Sequence, residues 1–317
     1  MSDVSSLLTL LEKGLLESDD EWLKLKTAIK PIFYYSKGCM AWSRKETNKQ
    51  IKAELKEFGE MLIASDISAE DMIVEYSNKA NSLGQSAQIR TFVRLPDLFI
   101  KWPANRLEPS QKELFEVLKS KLSTTDHQRE RVLMLIGAHA ETSNGQSRKV
   151  TAGAVAETTI ELVLKQAGLE ARIGYGRQWQ SGDGSSTDFI IPWKAHGDRH
   201  GIKAYIACQA SSNDRSRMGS SELHRGAKRF ICSLNGSTAS SKNTDDIGLD
   251  LSVGLLSDET TYVVVEKERQ RAISKAKADH SKEENSATKI LLEKRITWLE
   301  NFSCNFNQFS DFVKTGL

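Results

Sequence analysis

The sequence predicts an α/β (α+β) protein, with a mixed central sheet carrying flanking helices and a helical N-terminal lobe ahead of it. Three observations predict this class. Apolar residues recur at helical spacing through roughly the first 140 positions. The texture changes after residue 140, where short β-prone runs alternate with glycine-rich or charged loops. Within 150–266 the order helix, strand, strand, strand, helix, strand describes a mixed sheet covered by helices.

Each element has its own signal. Leu7, Leu8, Leu11 and Leu15 share a helix face, and so do Ile51, Leu55, Phe58 and Leu62. Ser65-Asp66 closes that second helix, and another starts near Ser68. Pro96, Pro103 and Pro109 make 94–109 an irregular connector. Ser110-Gln111-Lys112-Glu113 has the form of a capping box and launches a helix through Leu114, Leu118 and Leu122. Asp126 caps a helix through Val132, Leu135 and Ile136, and Glu141 to Ser147 reads as a polar loop. A helix over 152–167 ends at Gly168. Strands are expected at 171–175, 187–193 and 204–210, then a helix over 220–230. The Ser/Asn/Thr-rich stretch 233–246 reads as a loop. Thr260 to Glu266 (TTYVVVE) is the strongest strand signal. A charged helix over 267–285 and an amphipathic one through Leu291, Leu292, Ile296 and Leu299 follow. The expected domains are therefore a helical lobe over 1–140 and a sheet domain over 141–317.

Composition narrows the class. The 317 residues are 39% hydrophobic and 27% charged, which suits a folded core. No run approaches the roughly 18 apolar residues of a membrane span, and no secretory leader is visible, so a cytoplasmic protein is expected. Cys39, Cys208, Cys232 and Cys304 are scattered without metal-ligand spacing and read as buried free thiols. Lys plus Arg number 44 against 42 for Asp plus Glu. That balance neither demands nor excludes a nucleic acid, so local patterning must decide.

The chemistry concentrates on the expected hairpin 187–210. If the hairpin is symmetric about residues 198 and 199, Asp188 faces Gln209. Cross-strand neighbours lie about 5 Å apart on one face. A carboxylate and an amide oxygen then converge as a hard divalent cation requires. Glu157, at the border of the apolar stripe carrying Ile160 and Leu164, adds a second carboxylate from the preceding helix. Hydrolysis of a phosphodiester needs a metal-activated water and charge stabilisation on the phosphoryl oxygens, which such a cluster can supply. The following segment is polar and basic. From Asn213 to Arg229 it holds five Lys or Arg against two acids. Ser211, Ser212, Asn213, Arg215, Arg217 and Arg225 are candidates for phosphate or base contacts.

The stretch Gly153…Glu157, then Thr187-Asp188-Phe189-Ile190-Ile191-Pro192, then Tyr205-Ile206-Ala207-Cys208-Gln209-Ala210-Ser211-Ser212-Asn213, resembles the PD-(D/E)XK nuclease superfamily and, within it, the Type II restriction endonucleases. The resemblance implies a restriction-endonuclease-like core and Mg²⁺-dependent cleavage of specific sites in double-stranded DNA. It also implies a homodimer, a cognate DNA methyltransferase as genetic partner and a bacterial cytoplasm. By this likeness Asp188 is the metal-binding aspartate and Glu157 the helix glutamate. Gln209 takes either the second acidic position or the last position of the (E/D)-x-K element. Thr187 stands where the family has proline, Ala207 precedes Gln209 by two where an acid is expected, and Ser211 stands where the lysine would follow. Lys228, or else Lys165, is then the candidate lysine.

Two rival readings stay open: a catalytically inactive DNA-binding protein on the same scaffold, and a protein-interaction module in which the helical lobe docks a partner. Gly174-Tyr175-Gly176 lacks the rest of a dinucleotide fingerprint, and P-loop, GxSxG and HExxH motifs are absent. His196 and His200 are separated by glycine and read as hairpin-tip residues.

Overall fold

The computed structural model describes residue 9 and residues 19–33, 38–124, 127–181, 186–209, 226–238 and 247–315. The chain divides into two compact units. One takes in the described residues of 1–54 and 82–150, the other those of 55–81 and 151–317. None of the described helices is long and apolar enough to cross a membrane.

The first unit is helical. It is built from α1 (Asp19–Phe33), the first part of α2 (Cys39–Ala64), most of α3 (Ala69–Lys101), α4 (Pro109–Leu122) and the first part of α5 (His127–Gln166). Its core joins Leu25, Ile29 and Phe33 to Leu95, Phe99, Phe115 and Leu135. Phe33 stacks on Phe99 at 5.2 Å and on His139 at 4.8 Å, and Phe115 meets Phe99 edge-on at 4.9 Å. The expected connector over 94–109 is shorter than predicted. α3 continues past Pro96 to Lys101, because Leu95 and Phe99 are both fully buried and anchor the turn around the proline. α4 starts at Pro109, one position ahead of the expected cap. Pro109 needs no N–H in the first turn, and Gln111 Oε1 accepts the Glu108 N–H at 3.2 Å.

The polar stretch 141–147 is helical as well. α5 runs unbroken over 40 residues. Gly145 and its Ser and Asn neighbours cost at most about 1 kcal/mol each in a helix, too little to interrupt one whose flanks are buried at Leu135 and at Ile160. The boundary expected at 140 therefore moves to 150, and 55–81 joins the sheet unit. That assignment has visible contacts. Gln166 Nε2 donates to Ile67 O at 2.8 Å, the Glu266 N–H donates to Glu70 Oε1 at 2.9 Å, and the Glu70 N–H donates to Asn307 Oδ1 at 3.1 Å. A Cβ on Gly59 would come within 3.1 Å of Leu162, so glycine permits this close helix approach.

The second unit is a mixed sheet of six strands in sequential order: β1 (Gly176–Gln180), β2 (Ser186–Ile191), β3 (Ala204–Gln209), β4 (Lys228–Ser233), β5 (Thr261–Val263) and β6 (Ser303–Cys304). β1, β2 and β3 are antiparallel neighbours, and β3 through β6 run parallel. α6 (Leu249–Ser257), α7 (Glu266–Lys282), α8 (Ser286–Asn301) and α9 (Phe306–Thr315) complete it. Ile231, Tyr262 and Val264 pack with Ala276, Trp298 and Leu299, while Phe230 meets Phe309 at 5.2 Å.

Three expected elements change. Residues 171–175 form a turn closed by the Gly174 N–H donating to Glu170 O at 2.7 Å, with Arg172 at φ 65°. The strand lies one step later, at β1. The helix expected over 220–230 is replaced at its end by β4, whose Phe230, Ile231 and Cys232 are buried as a parallel strand demands. The part of that helix at 220–225 lies outside the described residues. The best strand signal shortens to three residues because α7 begins at Glu266.

His139 is 1% exposed, and burial, followed by the charge of Lys26, holds its imidazole at about 4 rather than 6.5. The unfolded chain takes up a proton as pH falls through 6.5, and the folded chain only near 4. The stability tied to neutral His139 is therefore full above about 6.5 and is lost toward 4, amounting to roughly 3 kcal/mol. Urea melts between pH 7 and pH 4.5 should show this loss in the wild type. His139→Phe should flatten the profile, and parallel profiles would refute the assignment.

Candidate functional site

The site is organised by a fork between β2 and β3. Backbone pairing runs from Ile191↔Ala204 to Phe189↔Ile206. One step further, Asp188 falls opposite Ala207, and Gln209 falls opposite Ser186. The expected pairing of Asp188 with Gln209 is off by two residues. The cause is Pro192, which has no N–H for the ladder, so β2 ends at Ile191 and the loop spans 192–203. A shift of two preserves the alternation of faces, so by strand parity Asp188 and Gln209 stay on one side of the sheet.

Beyond Phe189 side chains replace the ladder. Thr187 Oγ1 donates to Ile206 O at 3.0 Å, and the Cys208 N–H donates to Asp188 Oδ2 at 2.7 Å. The Asp188 carboxylate is thereby held in the opening between two strands at 5% exposure. Gln209 is also buried, and its partner across the parallel ladder is Ser233. The chain turns directly after Ser233. The Leu234 N–H donates to Gln209 O at 3.0 Å and Ser237 Oγ to Leu234 O at 2.6 Å. Gly236 sits at φ 75°, where a Cβ would lie 2.9 Å from Val265 and Glu268. A buried polar turn thus occupies 234–237, where the sequence suggested the start of a loop. Ser233 before it, and Asn235 and Ser237 within it, are buried polar residues that sequence reasoning did not single out.

Glu157 and Glu161 project from successive turns of α5 toward β1. Arg177 Nη2 lies 3.2 Å from Glu157 Oε2, and its Nη1 lies 2.9 Å from Glu161 Oε2. Tyr175 Oη donates to Glu161 Oε1 at 2.8 Å, and Lys165 Nζ is 3.5 Å from the same oxygen. Arg177 was not anticipated, since nothing in the local sequence announces that a strand residue will bridge two helix acids.

The Cys208 thiol links the two clusters. Burial drives it well above the usual thiol range. The charges of Cys232, Asp188 and Glu157 push the same way, and Arg177 pulls it down. Asp188, Glu157 and Arg177 therefore all act electrostatically on the Cys208 thiol. All four cysteines are free, and Cys39, Cys208 and Cys232 are buried, in line with the sequence reading.

Lys228 is not brought to this point. It opens β4 opposite Ala204, at the far end of the strand from Ser233, with its ammonium 4.2 Å from the Phe312 ring centroid. The reason is that the expected helix carrying it is a strand here. Lys165 is held on Glu161. Ser211, Ser212, Asn213, Arg215, Arg217 and Arg225 lie outside the described residues. Among the described residues no three His, Cys, Asp or Glu side chains gather tightly enough to cage a metal ion. Mg²⁺ keeps several waters and takes only one or two protein carboxylates, so its demand is lighter than a cage of three such side chains.

Asp188 thus has a structural duty that can be separated from any catalytic one. Asp188→Ala leaves the buried Cys208 N–H without its acceptor and should cost about 1–3 kcal/mol in urea unfolding. Asp188→Asn keeps an acceptor oxygen and should lose clearly less. Equal losses would contradict the bond's assigned role. No protein-family model matches this chain, and no curated protein or solved structure matches it.

Proposed function

We propose that this chain is a Mg²⁺-dependent endonuclease that hydrolyses phosphodiester bonds of double-stranded DNA. The carrying observation is a buried carboxylate, Asp188, held in a strand fork by the Cys208 N–H, next to the end of β3 that carries the buried Gln209. The C-terminal ends of parallel strands are the usual place for a ligand on a sheet of this kind. Gln209 and Ser233 close β3 and β4 there. The segment that follows Gln209 in sequence is the basic Ser/Asn/Arg run.

The reaction is attack of water on phosphorus, rupture of one P–O bond and protonation of the departing oxygen. Asp188, Gln209 and Glu157 would hold Mg²⁺, which when bound lowers the pKa of its water and offsets charge on the phosphoryl oxygens. Arg177, paired with Glu157 and Glu161, would supply positive charge, a role the resemblance would give to a lysine. The narrower reading is a Type II, site-specific enzyme acting as a homodimer beside a cognate DNA methyltransferase. It rests on the motif likeness.

Supercoiled plasmid should be nicked or linearised with Mg²⁺ and left intact with EDTA. Asp188→Asn should lower the rate at least about a hundredfold, the upper end of losing even a group that only orients a metal ligand. Asp188→Asn cleaving at the wild-type rate would overturn the proposal. The second reading, a DNA-binding protein without catalysis, is favoured by the remote position of Lys228 and by the commitment of Asp188 to Cys208. It predicts salt-sensitive duplex binding, unchanged in Asp188→Asn, with no cleavage.

A further inference from the structure

A second concave site lies at the outer edge of the sheet. It encloses about 410 Å³ between β1, the turn before it and the loop after β2. That volume falls within the range of small-ligand sites. Its loop wall is fixed in advance. The Trp193 N–H donates to Ile173 O at 3.2 Å and Trp179 Nε1 to Ala195 O at 2.8 Å. The Gly197 N–H donates to Gln180 O at 2.9 Å, and the Gln180 N–H donates to His196 Nδ1 at 3.1 Å. Five consecutive residues are tied at four points, so a ligand would meet a formed surface and pay little ordering entropy.

The lining has a specific chemistry. Trp193 is 46% exposed although its indole rests on Gly176, where an added Cβ would lie 3.0 Å from the ring. One part of the ring is seated on backbone and the rest faces outward, which suits a stacking platform. Arg172 and Lys194 also line the cavity. Neither has an acidic partner among the described residues. The one acid in the lining, Glu161, is already engaged by Arg177, Tyr175 and Lys165. A flat aromatic surface beside two uncompensated cations selects a ligand with a π-face and an anionic group.

We propose that this pocket binds a nucleotide, its base stacked on Trp193 and its phosphate held by Arg172 and Lys194. The nucleotide can come free from solution or as one unit of a strand. The pocket shares Glu161 and Arg177 with the Glu157 cluster but uses neither Asp188 nor Gln209, so the inference stands apart from the nuclease reading.

Calorimetric titration of the full chain in EDTA tests it, with deoxyadenosine monophosphate, deoxyadenosine and a single-stranded oligonucleotide as probes. Saturable binding of the monophosphate, or of the oligonucleotide alone, supports the pocket, and the second result assigns it to a strand. Base–aromatic stacking of this kind changes affinity about five- to a hundredfold per base. Trp193→Ala should therefore weaken binding about tenfold or more, while Trp193→Phe should stay within a few-fold of wild type. Arg172→Gly, which suits the positive φ, combined with Lys194→Gln should erase the preference for monophosphate over nucleoside. No saturable binding of the monophosphate or of the oligonucleotide, wild-type affinity in a folded Trp193→Ala, or a nucleoside that binds as tightly as the monophosphate would each overturn the proposal. A cleavage defect without a binding defect, or the reverse, tells the two sites apart.

Discussion

The bond from the Cys208 N–H to the Asp188 carboxylate is the constraint around which the sheet unit's polar end is arranged. Two strands that part company expose backbone donors and acceptors, and burying them unpaired costs free energy of the order of a lost hydrogen bond each. Thr187 and Asp188 answer that cost with side chains. The fork can then open without leaving the ladder unsatisfied. An acid enters the interior there because its carboxyl oxygen accepts a main-chain hydrogen bond.

The change from antiparallel to parallel pairing at β3 sets where the polar groups collect. β3 and β4 run side by side in one direction, so Gln209 and Ser233 end together and both chains leave from one edge. The turn at 234–237 folds back under α7, where Gly236 tolerates contact with Val265 and Glu268 that any side chain would prevent. Lys228 opens the same strand and is therefore at the opposite edge. A strand about 3.3 Å long per residue cannot present its first and last members to one phosphate.

Much of this was legible in the sequence, because period and β-branching report on burial. The runs at β2, β3 and β5 declared themselves through Phe189-Ile190-Ile191, Tyr205-Ile206 and Tyr262-Val263-Val264-Val265, and the free buried thiols followed from their scatter. The failures share a cause. Pro96 and Gly145 are local disruptors that buried neighbours overrule, so helices were read too short. β4 has only a brief apolar core, Phe230-Ile231-Cys232, and its charged approach mimics a helix. α9 was missed although Phe306, Phe309 and Val313 recur at helical spacing. The register error at Asp188 came from counting a loop without giving Pro192 its full weight as a missing donor. Arg177 could not be read at all, since its importance exists only once α5 lies beside β1.

That bridge bears on how the cluster behaves electrically. Glu157 and Glu161 are one turn apart, and like charges at that spacing repel. Both side chains are largely buried, at 13% and 15% exposure, which strengthens the repulsion beyond its surface value. Arg177 offsets it by taking one oxygen from each, and Tyr175 and Lys165 take the other oxygen of Glu161. Glu161 is thus bound by three partners, and Glu157 takes the guanidinium's second arm. The two acids can therefore stand one turn apart and largely buried because β1 sets a guanidinium between them.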